Sequence, residues 1–228
     1  MIDINNTLDL VKLKFFNEWL YTSHLYDENE SELHKKINGE VVKNYIDPLN
    51  LPKQANILDI GCGVGYFLES MKNRGYTNVT GITLSENNAK HCREKGFNAK
   101  EYDPTFLPQK DGYYDESVDF IFLRHSLQHS PYPIFSLVEY NRILKQNKKM
   151  YIEVPAPDCE RKLEFNPSHY SILGKTQLTA LLERTGFKIE RFDEIQFDLT
   201  LTENEEEKII PEKYYCILVT KSNPLDIK

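Results

Sequence analysis

Apolar residues recur at helical spacing over the first fifty positions and change to short strand-like runs after Ala55. Leu8, Val11, Phe15 and Trp19 share one helical face, and Leu33, Ile37, Val41 and Tyr45 form a second such stripe. Asn29-x-x-Glu32 in front of the second stripe predicts its N-cap. A mixed aromatic and polar stretch, residues 21–26, joins the two helices, and Pro48 and Pro52 mark where they end. Residues 1–50 are therefore expected to form a helical cap, and residues 51–228 the main domain.

From Ala55 onward, strand, turn and helix alternate. Apolar runs at 57–60, 79–83, 99–103, 118–123 and 150–154 predict strands, and the β-rich stretches 189–199 and 214–220 add two more. Between them, helices open after Gly65, at Ser85 and at Pro133, and Gly75, Gly96 and Gly186 stand where helices should stop. Strands separated by helices of this length predict an α/β fold, a doubly wound and mostly parallel seven-stranded sheet covered on both faces. Residues 156–177 lack clear periodicity up to the next helix and are expected to cover a substrate. The acidic run 203–207 reads as a solvated loop.

Composition narrows the function classes. Of 228 residues, 40% are hydrophobic and 28% charged, as in an ordinary globular protein. Acidic residues outnumber basic ones by 35 to 28, and the net charge of −7 argues against nucleic acid as the partner. No apolar run approaches the roughly 20 residues of a membrane span. The N-terminus carries no readable signal peptide, and the four cysteines are far apart without a CxxC pair, so a reduced, cytoplasmic setting is expected.

The strongest chemical signal is Asp59-Ile60-Gly61-Cys62-Gly63-Val64-Gly65, placed between a strand and a helix. Glycines there permit a tight turn and close approach of the backbone to a ligand, and the following helix points its N-terminus at it. A dinucleotide fingerprint has the spacing G-x-G-x-x-G and keeps its acid about 20 residues later. Here the spacing is G-x-G-x-G and the carboxylate ends the first strand. A carboxylate suits a cationic amine and is a poor neighbour for a pyrophosphate, so an amino-acid-bearing nucleoside fits better than NAD.

On these residues the chain resembles the class I S-adenosylmethionine-dependent methyltransferases, in the small-molecule and glycan-tailoring branch. The resemblance covers residues 55–155 with the motifs in order: the Asp59 turn, Val79 to Ser85, Asp103-Pro104-Thr105-Phe106-Leu107-Pro108, Asp119 to His129, and Tyr151 to Pro155. It continues through His169 to Gly186-Phe187. It implies S-adenosylmethionine as cofactor, S-adenosylhomocysteine as product, no metal, and in-line methyl transfer to a small-molecule or glycan acceptor. It also implies cofactor contacts by Asp59, Gly61, Cys62, Gly63, Gly65, Thr83, Leu84, Asn88, Asp103 and Pro104. Thr83 stands where most members carry an acid for the ribose, and Asn88, one turn into the helix, is the expected substitute. Pro104 lacks the N–H commonly offered to the adenine.

His129 leaves the fourth strand where the methyl-transfer face should lie, and is the candidate general base or substrate-orienting group. His125, His169, Tyr170, Tyr21 and Tyr26 are the candidate substrate contacts. A non-catalytic cofactor binder and an RNA or protein methyltransferase stay open as alternatives. The acceptor and the oligomeric state are not encoded in any motif.

Overall fold

The computed structural model describes residues 30–158, 166–203 and 206–222. The expected first helix, with Tyr21 and Tyr26, lies outside the described residues, as does Cys159. Helix α1 (Glu32–Val41) continues through a π-helical turn, Val42–Ile46, and a 3-10 turn, Asp47–Leu49. Then follow β1 (Ile57–Ile60), α2 (Tyr66–Asn73), β2 (Val79–Thr83), α3 (Glu86–Glu94), β3 (Asn98–Glu101) and β4 (Val118–Arg124). The chain continues with α4 (Pro133–Ile143), β5 (Leu144–Pro155), α5 (Lys175–Arg184), β6 (Phe187–Glu203) and β7 (Glu206–Lys221).

The seven strands form one sheet in the order β3-β2-β1-β4-β5-β7-β6. β1 through β5 run parallel, and β7 pairs antiparallel with both β5 and β6. The strand order reverses between β1 and β4, and in open α/β sheets that switch point opens a crevice at the carboxyl ends of the strands.

Alternation along each strand divides the core in two. Leu58, Ile60, Ile121, Leu123, Met150 and Ile152 face α4 and α5, packing on Leu137, Tyr140, Ile143, Leu178 and Leu182. Ile57, Phe120, Phe122 and Tyr151 face the other way, onto Val41, Val42, Tyr45, Ile46, Phe67 and Met71. Each such large side chain contributes roughly 1.5–3 kcal/mol when fully buried. Aromatic rings run through the second core: Phe67 stacks on Phe122 at 3.9 Å, Phe122 on Tyr151 at 5.2 Å, and Tyr151 meets Tyr45 at 5.0 Å. Helix α1 is thus built into the core that carries the carboxyl end of β4.

Two expectations are corrected. The N-cap of α1 is Ser31 rather than Asn29, and its Oγ accepts from His34 N at 3.3 Å. The backbone N–H of Ser31 donates to the Tyr66 hydroxyl, which fixes Ser31 as the last residue before the helix. The acidic run is also no long loop, because β6 and β7 pair from Phe187–Lys221 out to Glu203–Glu206. β5 accompanies this hairpin only from Lys149–Thr220 to Pro155–Tyr214, so its distal half is two-stranded.

Candidate active site

β1 delivers Asp59 and Ile60 into a turn whose backbone is fixed at both ends. Gly61 N and Cys62 N both donate to Ile82 O, at 2.8 and 2.9 Å, and Gly65 N donates to Cys62 O at 2.9 Å. Gly61 has φ +81°, and a Cβ there would lie 2.7 Å from both Cβ and Oγ of Ser126. The loop after β4 therefore lies directly against the loop after β1. Gly81 on β2 is equally constrained, since a Cβ would come within 2.7 Å of Cys62 Sγ. Helix α2 starts from this turn with Gly65 as N-cap and no side-chain cap.

Beside the turn is a cavity of about 110 Å³ lined by Asn38, Asp59, Gly61, Cys62, Tyr66, Phe67, Phe122, Arg124 and His125. Asp59 is buried, and the aromatic pair Phe67–Phe122 forms an apolar wall. Behind it, Glu153 on β5 is a buried carboxylate whose Oε1 lies 2.9 Å from both Arg124 Nε and His125 Nε2. Its Oε2 accepts from the Tyr151 hydroxyl at 2.7 Å. Burial alone would raise the Glu153 pKa, but Arg124 and the bonds from His125 and Tyr151 outweigh it and hold the group at about 2. His125 stands in the left-handed region at φ +50°, a strained conformation for a non-glycine residue. Its N–H donates to Glu153 O at 2.9 Å, and its ring packs edge-on against Tyr214 at 4.8 Å. Desolvation, then the Arg124 charge, lowers the His125 pKa against the pull of Glu153.

On the other side of the turn the expected cofactor residues gather at the ends of β2 and β3. Thr83 Oγ1 accepts from Ser85 N at 3.1 Å, so this hydroxyl already holds the entry to α3. Ser85 Oγ caps that helix by accepting from Asn88 N at 3.0 Å. Asn88 is buried rather than spread on the solvent face. Asp103 is buried too, and its Oδ1 accepts from Thr105 N at 2.9 Å, which turns the chain at buried Pro104. Leu84 is half-buried between Thr83 and the cap.

The acceptor-side histidines are brought together. His129 and His169 meet edge-on at 4.8 Å. His129 Nδ1 lies 2.8 Å from Ser168 O, which fixes the proton on Nδ1, and Nε2 is 3.4 Å from the Gln128 side-chain amide. Tyr170 N and Ser171 N both donate to Gln128 O, at 2.8 and 3.0 Å. The loop after β4 is thus fastened to the segment 166–171.

Burial presses the His129 pKa to about 4, with His169 adding to the effect and the Ser168 carbonyl opposing it. Between about 6.5 and 4 the unfolded chain binds a proton that the folded chain refuses. The resulting stability is fully present above pH 6.5 and is lost as pH falls toward 4, on the order of 3 kcal/mol in all. His129→Asn, which keeps a donor for Ser168 O but cannot titrate, should flatten that part of the stability–pH curve measured by urea unfolding. A curve as steep as that of the unaltered protein would place the titration elsewhere.

The cavity also holds residues not named as site candidates from the sequence: Asn38, Tyr66, Arg124 and, behind them, Glu153, of which Arg124 and Glu153 lie inside motifs quoted above. A charged Arg124-His125 pair closing the apolar run 118–123, and a lone Glu153 inside Tyr151–Val154, were the available signals. Among the described residues no group of three or more side chains is arranged as a metal site, and no helix is long and apolar enough to cross a membrane.

Comparison with known proteins places this geometry in context. A family model described as a methyltransferase domain matches residues 32–191. The chain is similar to 27-O-demethylrifamycin SV methyltransferase of Amycolatopsis mediterranei, with 24% identity over 185 residues, 75% of this chain and 68% of that enzyme. It is also similar to a ubiquinone biosynthesis O-methyltransferase of Saccharophagus degradans, 29% identical over 106 residues, 45% of this chain and 44% of the relative. Among solved structures, a SAM-dependent methyltransferase from Archaeoglobus fulgidus superposes with a TM-score of 0.63 at 23% identity, covering 82% of this chain and 94% of that one.

Proposed function

The chain belongs to the methyltransferase domain family, and from that premise we propose that it transfers a methyl group from S-adenosylmethionine to a hydroxyl of a small organic molecule. The observation that carries this reading is the buried Asp59 carboxylate in a cavity wall, beside a turn where Gly61 leaves no space for a side chain. The residues present fit the cofactor. Asp59 suits the ammonium of an amino-acid head, and the glycine turn admits a close ligand. Asn88 offers both a donor and an acceptor to a ribose diol, and Asp103 offers a carboxylate to an exocyclic amine. The hydroxyl acceptor is inferred from the two similar O-methyltransferases.

The bound cofactor supplies a methyl already activated on a sulfonium, so the protein's contribution is mostly alignment. Holding two reactants in line contributes on the order of 7–11 kcal/mol. The loop 125–130, fastened through Gln128 O and His129 Nδ1 to residues 168–171, forms the wall on the acceptor side. Ile134 and Phe135, exposed at the start of α4 just beyond that loop, offer apolar contact to the acceptor. His129 stays neutral at pH 7 and orients this wall; with its pKa near 4 it is a weak base.

The test is incubation of the full chain with methyl-labelled S-adenosylmethionine and a panel of phenolic and alcoholic metabolites, read by mass spectrometry. Labelled methyl ether together with S-adenosylhomocysteine supports the reading. Tight cofactor binding with no methylated product across hydroxyl, amine and carbon acceptors would favour a non-catalytic binder. Asn88→Ala should weaken cofactor binding by about 1 kcal/mol and leave the thermal transition almost unchanged. Unaltered affinity would assign the ribose to another residue.

A further inference from the structure

Methylating a hydroxyl requires that its proton be taken up, and His129, pressed to about 4 by burial, is poorly suited to take it. A better placed imidazole stands four residues earlier. His125 follows β4 directly, its ring lines the cavity beside Asp59, and its side chain is 30% exposed.

Glu153 holds this residue at two points. The His125 N–H donates to Glu153 O at 2.9 Å, and His125 Nε2 lies 2.9 Å from Glu153 Oε1. A carboxylate oxygen only accepts, so the ring proton belongs on Nε2 and the lone pair on Nδ1. The other Glu153 oxygen accepts from the Tyr151 hydroxyl at 2.7 Å, and the His125 ring packs edge-on against Tyr214 at 4.8 Å. The backbone of His125 is left-handed at φ +50°, and the next residue, Ser126, stands against Gly61. Strain of this kind costs about 1–3 kcal/mol and persists only where surrounding contacts over-determine it. Here those contacts fix an imidazole at the mouth of β4 with one nitrogen committed to Glu153.

The groups around the ring set its task. Arg124 on β4, Glu153 on β5, Tyr214 on β7 and His34 on α1 face it, and Asp59 on β1 lines the same cavity. Desolvation, Arg124 and His34 favour the neutral ring, which is the form that accepts a proton. Glu153 favours the imidazolium, so a carboxylate is already in place for the charge that develops. His129 has only the Ser168 carbonyl for that purpose.

The geometry points to His125 as the general base of the methyl transfer, with Glu153 as the residue that positions its ring. This rests on the hydroxyl-acceptor reading above. As the acceptor oxygen bonds to the methyl carbon and the sulfur–carbon bond breaks, the hydroxyl proton passes to Nδ1. Sulfur keeps the electron pair of the broken bond, and the imidazolium later returns its proton to water.

The test has a spectroscopic arm and a kinetic one. Imidazole nitrogen chemical shifts of the full chain give the tautomer of His125, whose signals are identified by contact with the Tyr214 ring. The unaltered protein should carry the proton on Nε2. Glu153→Gln should mix the tautomers and move the His125 titration to lower pH, because the carboxylate that favours the imidazolium is gone. In the kinetic arm, a hydroxyl acceptor from the panel above is methylated across a range of pH. His125→Asn, a residue that tolerates the left-handed backbone, should lower kcat by roughly 10²–10⁴-fold and remove the acid limb of the kcat–pH profile. Its affinity for S-adenosylhomocysteine should stay within about threefold, which a loss of packing would not allow. A proton on Nδ1, a tautomer insensitive to Glu153→Gln, or an acid limb that survives in His125→Asn and vanishes in His129→Asn would overturn the assignment. The tautomer is read on the unaltered protein, so that arm decides even where a variant does not fold. A protein that methylates only amine or carbon acceptors would overturn the hydroxyl reading itself, whatever the tautomer.

Discussion

Replacing Asp59 by Asn should nearly abolish binding of S-adenosylmethionine. Asp59 is buried at the end of β1, and its side chain forms the wall of the cavity into which the glycine turn opens. An ammonium bound there without its carboxylate becomes an uncompensated buried charge, and breaking a buried pair in this way costs about 3–5 kcal/mol. The dissociation constant should therefore rise by roughly two to three and a half decades. The amide has nearly the shape of the carboxylate, so thermal melting of the cofactor-free variant separates lost binding from lost folding. A variant that folds and binds within about threefold of the unaltered protein would remove Asp59 from the site.

Gly61→Ala should be the most damaging small substitution in the turn. At φ +81° an alanine adopts a left-handed backbone, at about 1–2 kcal/mol. Its methyl would also stand 2.7 Å from Cβ and Oγ of Ser126, and overpacking of that kind costs about 1–3 kcal/mol. Together these amount to roughly 2–5 kcal/mol, a large share of the stability of an ordinary domain. The two contributions separate in a double-mutant cycle. Ser126→Gly combined with Gly61→Ala should recover the steric share and leave the backbone share, as measured by urea unfolding. Strict additivity of the two substitutions would show that the loops after β1 and β4 are not in contact.

The parts of this protein legible in its sequence are those decided locally. Near-continuous apolar runs in 57–60 and 118–123 announce strands because each is buried on both faces, and Ser85 announces a helix start because its hydroxyl caps an amide three residues on. The Asp59 turn is legible for the same reason, since glycine is required wherever the backbone turns left-handed against a neighbouring loop.

What was not legible depends on partners far along the chain. Asn29 and Ser31 are equally good caps in isolation, and the choice between them is made by the Tyr66 hydroxyl, which holds Ser31 N. Glu203 and Glu206 look like loop residues because their charge favours water, yet their backbones pair at the end of the two-stranded arm. His129 is prominent in the sequence, but its neutral state and its protonated nitrogen follow from burial and from the carbonyl of Ser168. Arg124 and Glu153 meet only because β4 and β5 pair in one register, with Arg124 opposite Glu153. A shift of that register by one residue would turn Glu153 to the opposite face of the sheet.

The central claim, that the crevice at the carboxyl ends of β1 and β4 binds S-adenosylmethionine, is tested most directly by calorimetric titration of the full chain with S-adenosylhomocysteine and, separately, with NAD. The account predicts saturable one-to-one binding of S-adenosylhomocysteine, lost in Asp59→Asn, and no competition from NAD. Absence of binding by the folded, unaltered protein, or displacement of S-adenosylhomocysteine by NAD, would contradict it.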